Sequence, residues 1–286
     1  MNPVLRLLFI VFQYVVPQHG LSRLVGWLAD SELPWIKGPF IRWFKQRYNV
    51  DMNEAAEPDA DNYSSFNAFF TRELRPGARP LDGAADALVC PTDGVVSQAG
   101  RIEAGRILQA KGQWFSAQEL LGGDAELAAQ FDSGDFATLY LSPRDYHRVH
   151  MPFAGTLRQM IYVPGDLFSV NQITAENVPR LFARNERLVC VFDTEFGPAA
   201  VVLVGAMIVA GIETVWAGQV TPLPRRVTST RYDRHDVIAL AKGAEMGRFK
   251  LGSTVVVLTG RDVVRWSEKL VPGALLHMGE RIGTFG

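Results

Sequence analysis

The spacing of apolar residues changes along the chain and separates a helical beginning from a strand-rich remainder. Phe40, Trp43 and Phe44 stand at positions i, i+3 and i+4, and basic residues take the positions between and after them. This is the pattern of an amphipathic helix. From residue 88 onward, short runs of Val, Ile and Leu are separated by turn signals such as the Asp-Gly pair at 93–94, which is typical of strands.

These patterns predict an α+β fold. A helical, amphipathic arm that ends in an acidic, alanine-rich linker is expected over residues 1–62, and a β-dominated domain of antiparallel strands over 63–286. Within the domain, Ser65 is expected to cap a short helix rich in phenylalanine. Ser116 and Glu119 form a capping box that begins a second helical stretch.

The arm is expected to contact a membrane surface. Its first apolar stretch, 4–16, contains 13 residues, whereas a membrane-spanning helix needs about 20, and no small-residue cleavage site of a signal peptide follows it. Residues 1–50 carry a net charge of +4 and the remainder −5. Trp27, Trp35 and Trp43 lie among these basic residues, which is typical of helices that lie in a membrane interface. The alternative is that the helices pack on their own domain or form a dimer contact.

Composition narrows the classes of function. The chain has 286 residues, of which 48% are hydrophobic, so it can bury a substantial core. A net charge of −1 gives no indication of a nucleic-acid partner. Cys90 and Cys190 are the only cysteines and form no metal-ligand cluster, so a reducing compartment is expected. The sequence has no P-loop and no dinucleotide fingerprint, so a nucleotide or flavin cofactor is not indicated.

A few residues could carry chemistry. Gly252-Ser253 precedes an apolar run at 255–258, and a serine after glycine is where a chain can attack its own backbone, although Gly-Ser is more often a simple turn. His147 and His150 would point to opposite faces of a regular strand, so they share a site only if the segment bends. Asp93 lies in a predicted hairpin turn. Together these residues supply the types needed for an Asp-His-Ser relay, but the pattern alone leaves their spatial arrangement open.

Several long motifs closely resemble those of the bacterial, membrane-associated phosphatidylserine decarboxylases. The resemblance covers nearly the whole chain, and the motifs occur in the family's order. They are SPRDYHRVHMP at 142–152, YVPGDLFSVN at 162–171, NVPRLFARNER at 177–187, IETVWAG at 212–218 and LGST at 251–254.

The resemblance implies that the chain cuts itself. Asp93 would orient His150, which would take the proton of Ser253, and the Ser253 oxygen would attack the carbonyl of Gly252. The amide becomes an ester, and elimination followed by hydrolysis leaves a pyruvoyl group and releases ammonia. The products would be a β fragment, 1–252, and an α fragment of 34 residues, 253–286, which is too short to fold alone and should stay embedded in the larger one.

The resemblance also implies a decarboxylase that makes its own cofactor. The pyruvoyl group from Ser253 would form a Schiff base with the amine of phosphatidylserine, and loss of carbon dioxide would give phosphatidylethanolamine. This electron-sink task usually falls to pyridoxal phosphate, so neither pyridoxal phosphate nor a metal is expected. His147 is the expected proton donor in decarboxylation, and Ser169 is a further candidate for substrate binding.

The implied partners are phosphatidylserine, an anionic membrane surface and a further copy of the two-fragment unit, with a peripheral location on the cytoplasmic side of the cell membrane. Two other functions fit the same residues. One is a lipid hydrolase with Asp93, His150 and Ser253 as a catalytic triad. The other is a non-catalytic lipid-binding module in which the motifs are only turns.

Overall fold

The computed structural model describes residues 2–208, 211–221, 226–233, 235–250 and 253–286. Three long helices come first, and all the strands of the described residues follow them. Every strand pair in the described sheets is antiparallel, apart from one isolated parallel bridge outside them. The predicted α+β class is therefore confirmed.

The arm consists of helices α1 (Pro3–Val15), α2 (Gln18–Ala29) and α3 (Pro34–Tyr48). Both α1 and α3 begin with proline, whose fixed φ suits the first helical turn, and the Asn2 side chain caps α1. Asn49, in the left-handed conformation with φ 51°, ends α3. No single helix in the described ranges is long and apolar enough to cross a membrane; α1 and α2 meet that criterion only as a pair, bent by 89°.

The arm has an apolar outer side and also packs on its own domain. Phe44 is buried, and Phe40 stacks on Phe66 with ring centroids 3.9 Å apart, whereas Trp43 is exposed. The phenylalanine-rich helix that begins at Phe66 covers Phe40 and Phe44, whereas the ring of Trp43 stays exposed beside them, with its centroid 6.3 Å from that of Phe40 and 6.4 Å from that of Phe44. The large exposed apolar residues of the arm are Val4, Leu5, Leu7, Leu8, Val11, Phe12, Tyr14, Val15, Leu24, Trp27, Leu33, Trp35 and Trp43.

A small hydrophobic core joins the arm to the domain. It includes Met52, Ala55 and Ala60, which lie in the predicted linker, so this segment is packed rather than free. The predicted boundary after residue 62 falls within this core. Its buried members are Ala29, Ile41, Phe44, Val50, Met52, Ala55, Ala60, Phe66, Phe69 and Phe70.

The centre of the domain is a nine-stranded antiparallel sheet in the order β12-β7-β8-β9-β15-β5-β2-β17, with β13 also paired to β7. Its strands are β2 (Gly94–Arg101), β5 (Gly134–Leu141), β7 (Gly155–Val163), β8 (Arg187–Thr194), β9 (Gly197–Val204), β12 (Thr228–Arg231), β13 (Ala239–Leu240), β15 (Ser253–Arg261) and β17 (Leu275–Leu276).

Both faces of this sheet are covered, as the side-chain alternation of β15 shows. Val255 and Val257 belong to one hydrophobic core, and Val256 and Leu258 belong to the other. Successive residues of a strand point to opposite faces, so an uninterrupted apolar run is expected of a strand buried on both sides. The strand that begins at Ser253 therefore belongs to a sheet that lies between two hydrophobic cores.

Smaller elements complete the domain. The additional strands are β1 (Ala87–Val89), β16 (Val264–Trp266) and β18 (Arg281–Phe285) in one sheet; β6 (Arg148–His150), β10 (Gly211–Thr214), β11 (Gly218–Gln219) and β14 (Glu245–Lys250) in another; and β3 (Arg106–Ala110) with β4 (Gln113–Ser116) as a hairpin. The short helices are α4 (Phe66–Phe70), α5 (Ala117–Leu120), α6 (Ala125–Ala129), α7 (Gln172–Asn177) and α8 (Leu181–Arg184), with one 3-10 turn at Ala60–Asn62. Ser65 and Ser116 cap α4 and α5, which confirms both predicted helix starts.

Candidate active site

Ser253 lies at the start of the central strand and is completely buried. In β15 it stands opposite Leu141 of β5, and the next residue, Thr254, stands opposite Val204 of β9. The hydroxyl oxygen of Ser253 has no hydrogen-bond partner among the described residues. Leu251 and Gly252, and with them the predicted cleavage site, lie outside the described residues.

The strand pairing brings the histidine motif to Ser253. β5 pairs with β15 and β6 pairs with β14, so residues 142–147, which connect β5 to β6, begin next to Leu141, the partner of Ser253, and end next to β14. The hydrogen bond from the Phe249 amide to the His147 carbonyl, 3.1 Å long, continues the β14–β6 ladder toward Ser253. A segment 106 positions earlier in the sequence therefore faces the predicted nucleophile because of sheet topology alone.

His147 is a buried, neutral imidazole. Its Nδ1–H donates to the carbonyl oxygen of Asp145 at 2.7 Å, and its ring lies 4.0 Å from that of Phe70. Burial lowers the pKa of His147 to about 3, although the Asp145 bond opposes the shift and nearby Arg72 adds to it. With Nδ1 protonated, Nε2 carries a lone pair, and nothing in the described part of the chain bonds to it.

His150 is neutral as well, but both of its ring nitrogens are engaged. Nδ1–H donates to the carbonyl oxygen of Gly243 at 2.8 Å, and Nε2 accepts from the hydroxyl of Tyr146 at 3.0 Å. Burial is the main cause that lowers the pKa of His150, and the nearby Asp93 and Glu245 carboxylates oppose it. The tyrosine hydroxyl therefore occupies the nitrogen that would act as a base.

Asp93 is bound to an arginine rather than to a histidine. Arg79 donates to both carboxylate oxygens of Asp93 at 2.6–3.0 Å and also binds Glu54, and the Met278 amide donates to Asp93 at 2.9 Å. The desolvated ion pair fixes Asp93 close to His150, whose backbone amide bonds to the carbonyl of Pro91. The predicted direct contact between Asp93 and His150 is not among the described hydrogen bonds.

Ser169 lies on a segment that approaches Ser253 from the other side. Its hydroxyl accepts from Asn171, and its backbone amide donates to Gln13 of α1. The neighbouring Phe168 is joined to Asn185, which also bonds to the carbonyl of Gly205, the residue after β9. Because β9 pairs with β15, this chain of bonds ends beside Ser253.

Sequence reasoning missed three residues of this site. Tyr146 and Arg79 contact His150 and Asp93, and Arg72 is a buried cation that influences His147. Tyr146 was visible only as a neighbour within the histidine motif. The two arginines gave no local signal, because their role depends on contacts across the fold. Within the described ranges, no group of three or more His, Cys, Asp or Glu residues is arranged to hold a metal ion.

A fully buried serine begins the central strand, and two neutral histidines with lowered pKa values lie at the start and end of the 147–150 segment. Reactive groups with shifted pKa values are typical of an enzyme active site, and the comparison with known proteins identifies the family. Residues 66–284 match the phosphatidylserine decarboxylase family, and a second model, described as PSD, matches residues 8–49. The chain belongs to the phosphatidylserine decarboxylase family.

Curated relatives match nearly end to end, and their names describe a proenzyme. A phosphatidylserine decarboxylase proenzyme of Ectopseudomonas mendocina strain ymp is 63% identical over 279 residues, which is 97% of this chain and 98% of the relative. The proenzyme of Pseudomonas putida strain F1 is 63% identical over 97% of both chains. The proenzyme of Stutzerimonas stutzeri strain A1501 is 62% identical over 96% of this chain and 94% of its own.

Proposed function

We propose that this chain is the precursor of a pyruvoyl-dependent decarboxylase that converts phosphatidylserine to phosphatidylethanolamine and carbon dioxide at a membrane surface. The observation that carries the proposal is the placement of Ser253: it is fully buried, its hydroxyl is unpartnered within the described residues, and it begins the central strand beside the histidine connection. The relatives are named proenzymes, which supports self-processing over a lipid hydrolase, since a hydrolase would act as an intact chain.

The surroundings of Ser253 suit conversion of the serine to a pyruvoyl group. The Ser253 hydroxyl has no partner within the described residues, so its attack on the backbone breaks no hydrogen bond there. In the first reaction Ser253 gives up its proton, and its oxygen bonds to the carbonyl carbon of Gly252 as the peptide C–N bond breaks. Elimination then leaves this oxygen with the new carboxyl group of Gly252, and water supplies the keto oxygen of the pyruvoyl group as the nitrogen departs as ammonia. When formed, the pyruvoyl group supplies a carbonyl that binds the substrate amine and draws electrons from the bond to the departing carboxylate.

His150 is the proposed base for self-cleavage, with Asp93 as its electrostatic support. The His150 ring is neutral, and its Nε2 carries the lone pair that a base needs. Because the Tyr146 hydroxyl occupies Nε2, a proton from Ser253 reaches His150 only when Tyr146 moves away or passes the proton on. Arg79 holds the Asp93 carboxylate in place during this step.

His147 is the proposed proton carrier of decarboxylation. The carbon that loses carbon dioxide must take up a proton. Nε2 of His147 has no partner within the described residues, so it is the ring nitrogen that can carry this proton. With a pKa of about 3 the protonated imidazole is a strong acid, which favours transfer of the proton to that carbon.

The arm is the proposed membrane-binding element, on the cytoplasmic side of the cell membrane. Its exposed leucines, valines and three tryptophans form the apolar side expected of an interfacial helix. Arg42, Lys45 and Arg47 of α3 are exposed nearby, and each basic residue near an anionic surface contributes about 1 kcal/mol to binding. Such docking would bring the catalytic domain to a substrate that cannot leave the bilayer.

The mature protein is further proposed to be an oligomer of the two-fragment unit, as expected from the family resemblance. Light scattering on the purified, detergent-free protein would give its mass. A mass equal to one chain would contradict the oligomer and leave the catalytic proposal unaffected, because all catalytic candidates come from one chain.

Mass spectrometry under denaturing conditions tests the proposed function. The wild-type chain should separate into fragments 1–252 and 253–286, the smaller with a blocked, pyruvoyl N-terminus, and should release carbon dioxide from phosphatidylserine. Ser253→Ala should remain one chain and release none. Thr259→Val is the matched control: it removes another buried, unpartnered hydroxyl at the far end of the same strand and should leave cleavage intact.

The histidine roles are separated by the same measurement. His150→Ala and Asp93→Ala should remain uncut, whereas His147→Ala should be cut at least in part and should decarboxylate poorly. Cutting that is blocked in His147→Ala but not in His150→Ala would reverse the two roles. A single unmodified full-length mass from an active preparation would rule out the pyruvoyl mechanism.

A further inference from the structure

The inward side of the arm carries a row of polar residues, although the outward side is apolar. On α1, Gln13 is only 1% exposed, and on α2, Ser22 is 4% exposed. Gln18 and His19, at the start of α2, are partly buried. A helix that only anchored the domain would pack inward through apolar residues. The polar row therefore has a specific counterpart in the domain.

That counterpart is the backbone of residues 165–169. The side-chain oxygen of Gln13 accepts from the Ser169 amide at 2.9 Å, and that of Gln18 accepts from the Leu167 amide at 2.6 Å. Gln18 also donates to the Gln13 carbonyl at 2.7 Å, which ties the two helices together. His19 Nε2–H donates to the Gly165 carbonyl at 3.0 Å. The arm thus supplies the hydrogen-bond partners that a neighbouring strand would otherwise give to the backbone of this segment.

The other side of the segment is fixed by the domain. Gly165 lies so close to the chain at Arg184 that a Cβ would stand 2.2 Å from the Arg184 carbonyl oxygen. Asn185, fully buried, accepts from the Phe168 amide at 3.1 Å and donates to the Phe168 carbonyl at 2.8 Å. The segment is therefore held between the arm and residues 184–185.

The same contacts lead to the reactive serine. The second amide hydrogen of Asn185 goes to the Gly205 carbonyl at 2.9 Å. Gly205 follows Val204, which pairs with Thr254, so Gly205 lies beside Ser253 in the register of β9 and β15. Three residues further on, the Ile208 amide donates to Ser22 of the arm at 3.1 Å. Two segments that flank Ser253 are thus both bonded to the arm.

We propose that Gln13 and Gln18 are positioning residues that set the conformation of the 165–171 segment on the substrate side of the catalytic site. The arm is then part of the active-site framework as well as a membrane anchor, so the conformation of the substrate side of the site depends on how the arm is seated. The proposal rests on the proposed function in one respect: it takes Ser253 as the reactive position.

The test compares, in the full chain, variants that keep the side-chain length with a variant that keeps the hydrogen-bond acceptor. Gln13→Met and Gln18→Met keep the length of the side chain but remove the acceptor oxygen, whereas Gln13→Glu keeps it. Gln46→Met, an exposed glutamine of α3, is the matched control. Activity is measured on vesicles of phosphatidylcholine with phosphatidylserine and on a dispersed short-chain phosphatidylserine, and vesicle binding is measured separately.

The two methionine variants should lower kcat/KM about tenfold on both substrates, the effect expected from one lost hydrogen bond to a buried amide, with vesicle binding and self-cleavage unchanged. Gln13→Glu should restore most of the activity. Hydrogen–deuterium exchange should become faster at residues 165–171 in the methionine variants and stay unchanged in Gln46→Met.

Three results would overturn the proposal: unchanged exchange at 165–171, unchanged activity on both substrates, or a loss confined to vesicles and matched by lost vesicle binding. The last would make the arm an anchor only. A wild-type chain that is neither cut nor active would instead contradict the proposed function, so the two failures are distinct.

Discussion

At the residue scale, burial decides which form of each histidine is present. Among the described residues His147 has no carboxylate partner, and its ring lies against Phe70 in the interior. The neutral form is therefore favoured mainly by desolvation and further by nearby Arg72, and the pKa is lowered to about 3. His150 shifts in the same direction, although the carboxylates near it oppose the shift.

This burial makes the stability of the protein depend on pH. The pKa of His147 is about 3 in the folded chain against an ordinary value of 6.5, so the unfolded chain binds more protons between these pH values. The free energy of unfolding should therefore fall as pH falls from about 6.5 toward about 3, by up to about 1.4 kcal/mol per pH unit from this group. At higher pH the histidine is neutral in both states and contributes no slope.

Urea unfolding of the uncut Ser253→Ala chain at about pH 7 and about pH 5 measures this slope. His147→Asn in the same background is the control, because its amide can still donate to the Asp145 carbonyl but cannot titrate. The control should lose less stability than the parent between the two pH values. Parallel losses would show that His147 is not the group responsible.

Part of the site could be predicted from the sequence at this scale. Histidine is rare in this chain, with five residues, and Ser253 precedes an apolar strand, so His147, His150 and Ser253 stood out within their motifs. The partners of these groups did not. Arg79 meets Asp93, and Tyr146 meets His150, through side-chain geometry that only the folded chain specifies.

At the element scale, α1 shows how a helix can serve two environments. Leu8, 58% exposed, lies on the outward side, and Gln13 is enclosed on the inward side. The helical spacing of apolar residues was enough to predict the arm as helical. The spacing could not predict that Gln13 would face inward, because the partner of Gln13, the Ser169 amide, lies 156 positions away in the sequence.

The outward side of α1 gives a direct test of membrane docking. Leu8→Glu places a charge where an apolar contact with lipid is proposed, so binding to phosphatidylserine-containing vesicles should weaken about tenfold or more. Val271→Glu, at a similarly exposed position of 52% outside the arm, is the matched control and should bind normally. Sedimentation with vesicles measures both. Equal binding by the two variants would show that this side of α1 does not face the lipid.

At the scale of the whole molecule, the predicted α fragment is interleaved with the rest of the chain. It would contribute β15 to the middle of the nine-stranded sheet, between β9 and β5, and β16 and β18 to a second sheet. The length of the α fragment indicated that it cannot fold alone and must stay embedded in the larger fragment. Its central position could not be predicted, because strand order depends on contacts between distant segments.

This arrangement predicts that the two fragments remain together after cleavage. Separating them would expose both apolar faces of β15 and break two strand ladders. Native mass spectrometry should therefore show the fragments as one particle, and only denaturant should release the smaller one. Release of residues 253–286 in native buffer would contradict the central placement of β15.

The enclosure of Ser253 also makes maturation a quality check on folding. The serine acquires its buried surroundings only when β15 lies between β9 and β5 and the histidine connection has closed beside it. A misfolded copy has the same sequence but lacks these surroundings, so it has no means to cut itself. Such a copy would remain a full-length, inactive chain, and the catalytic group would arise only in molecules that had already reached the native fold.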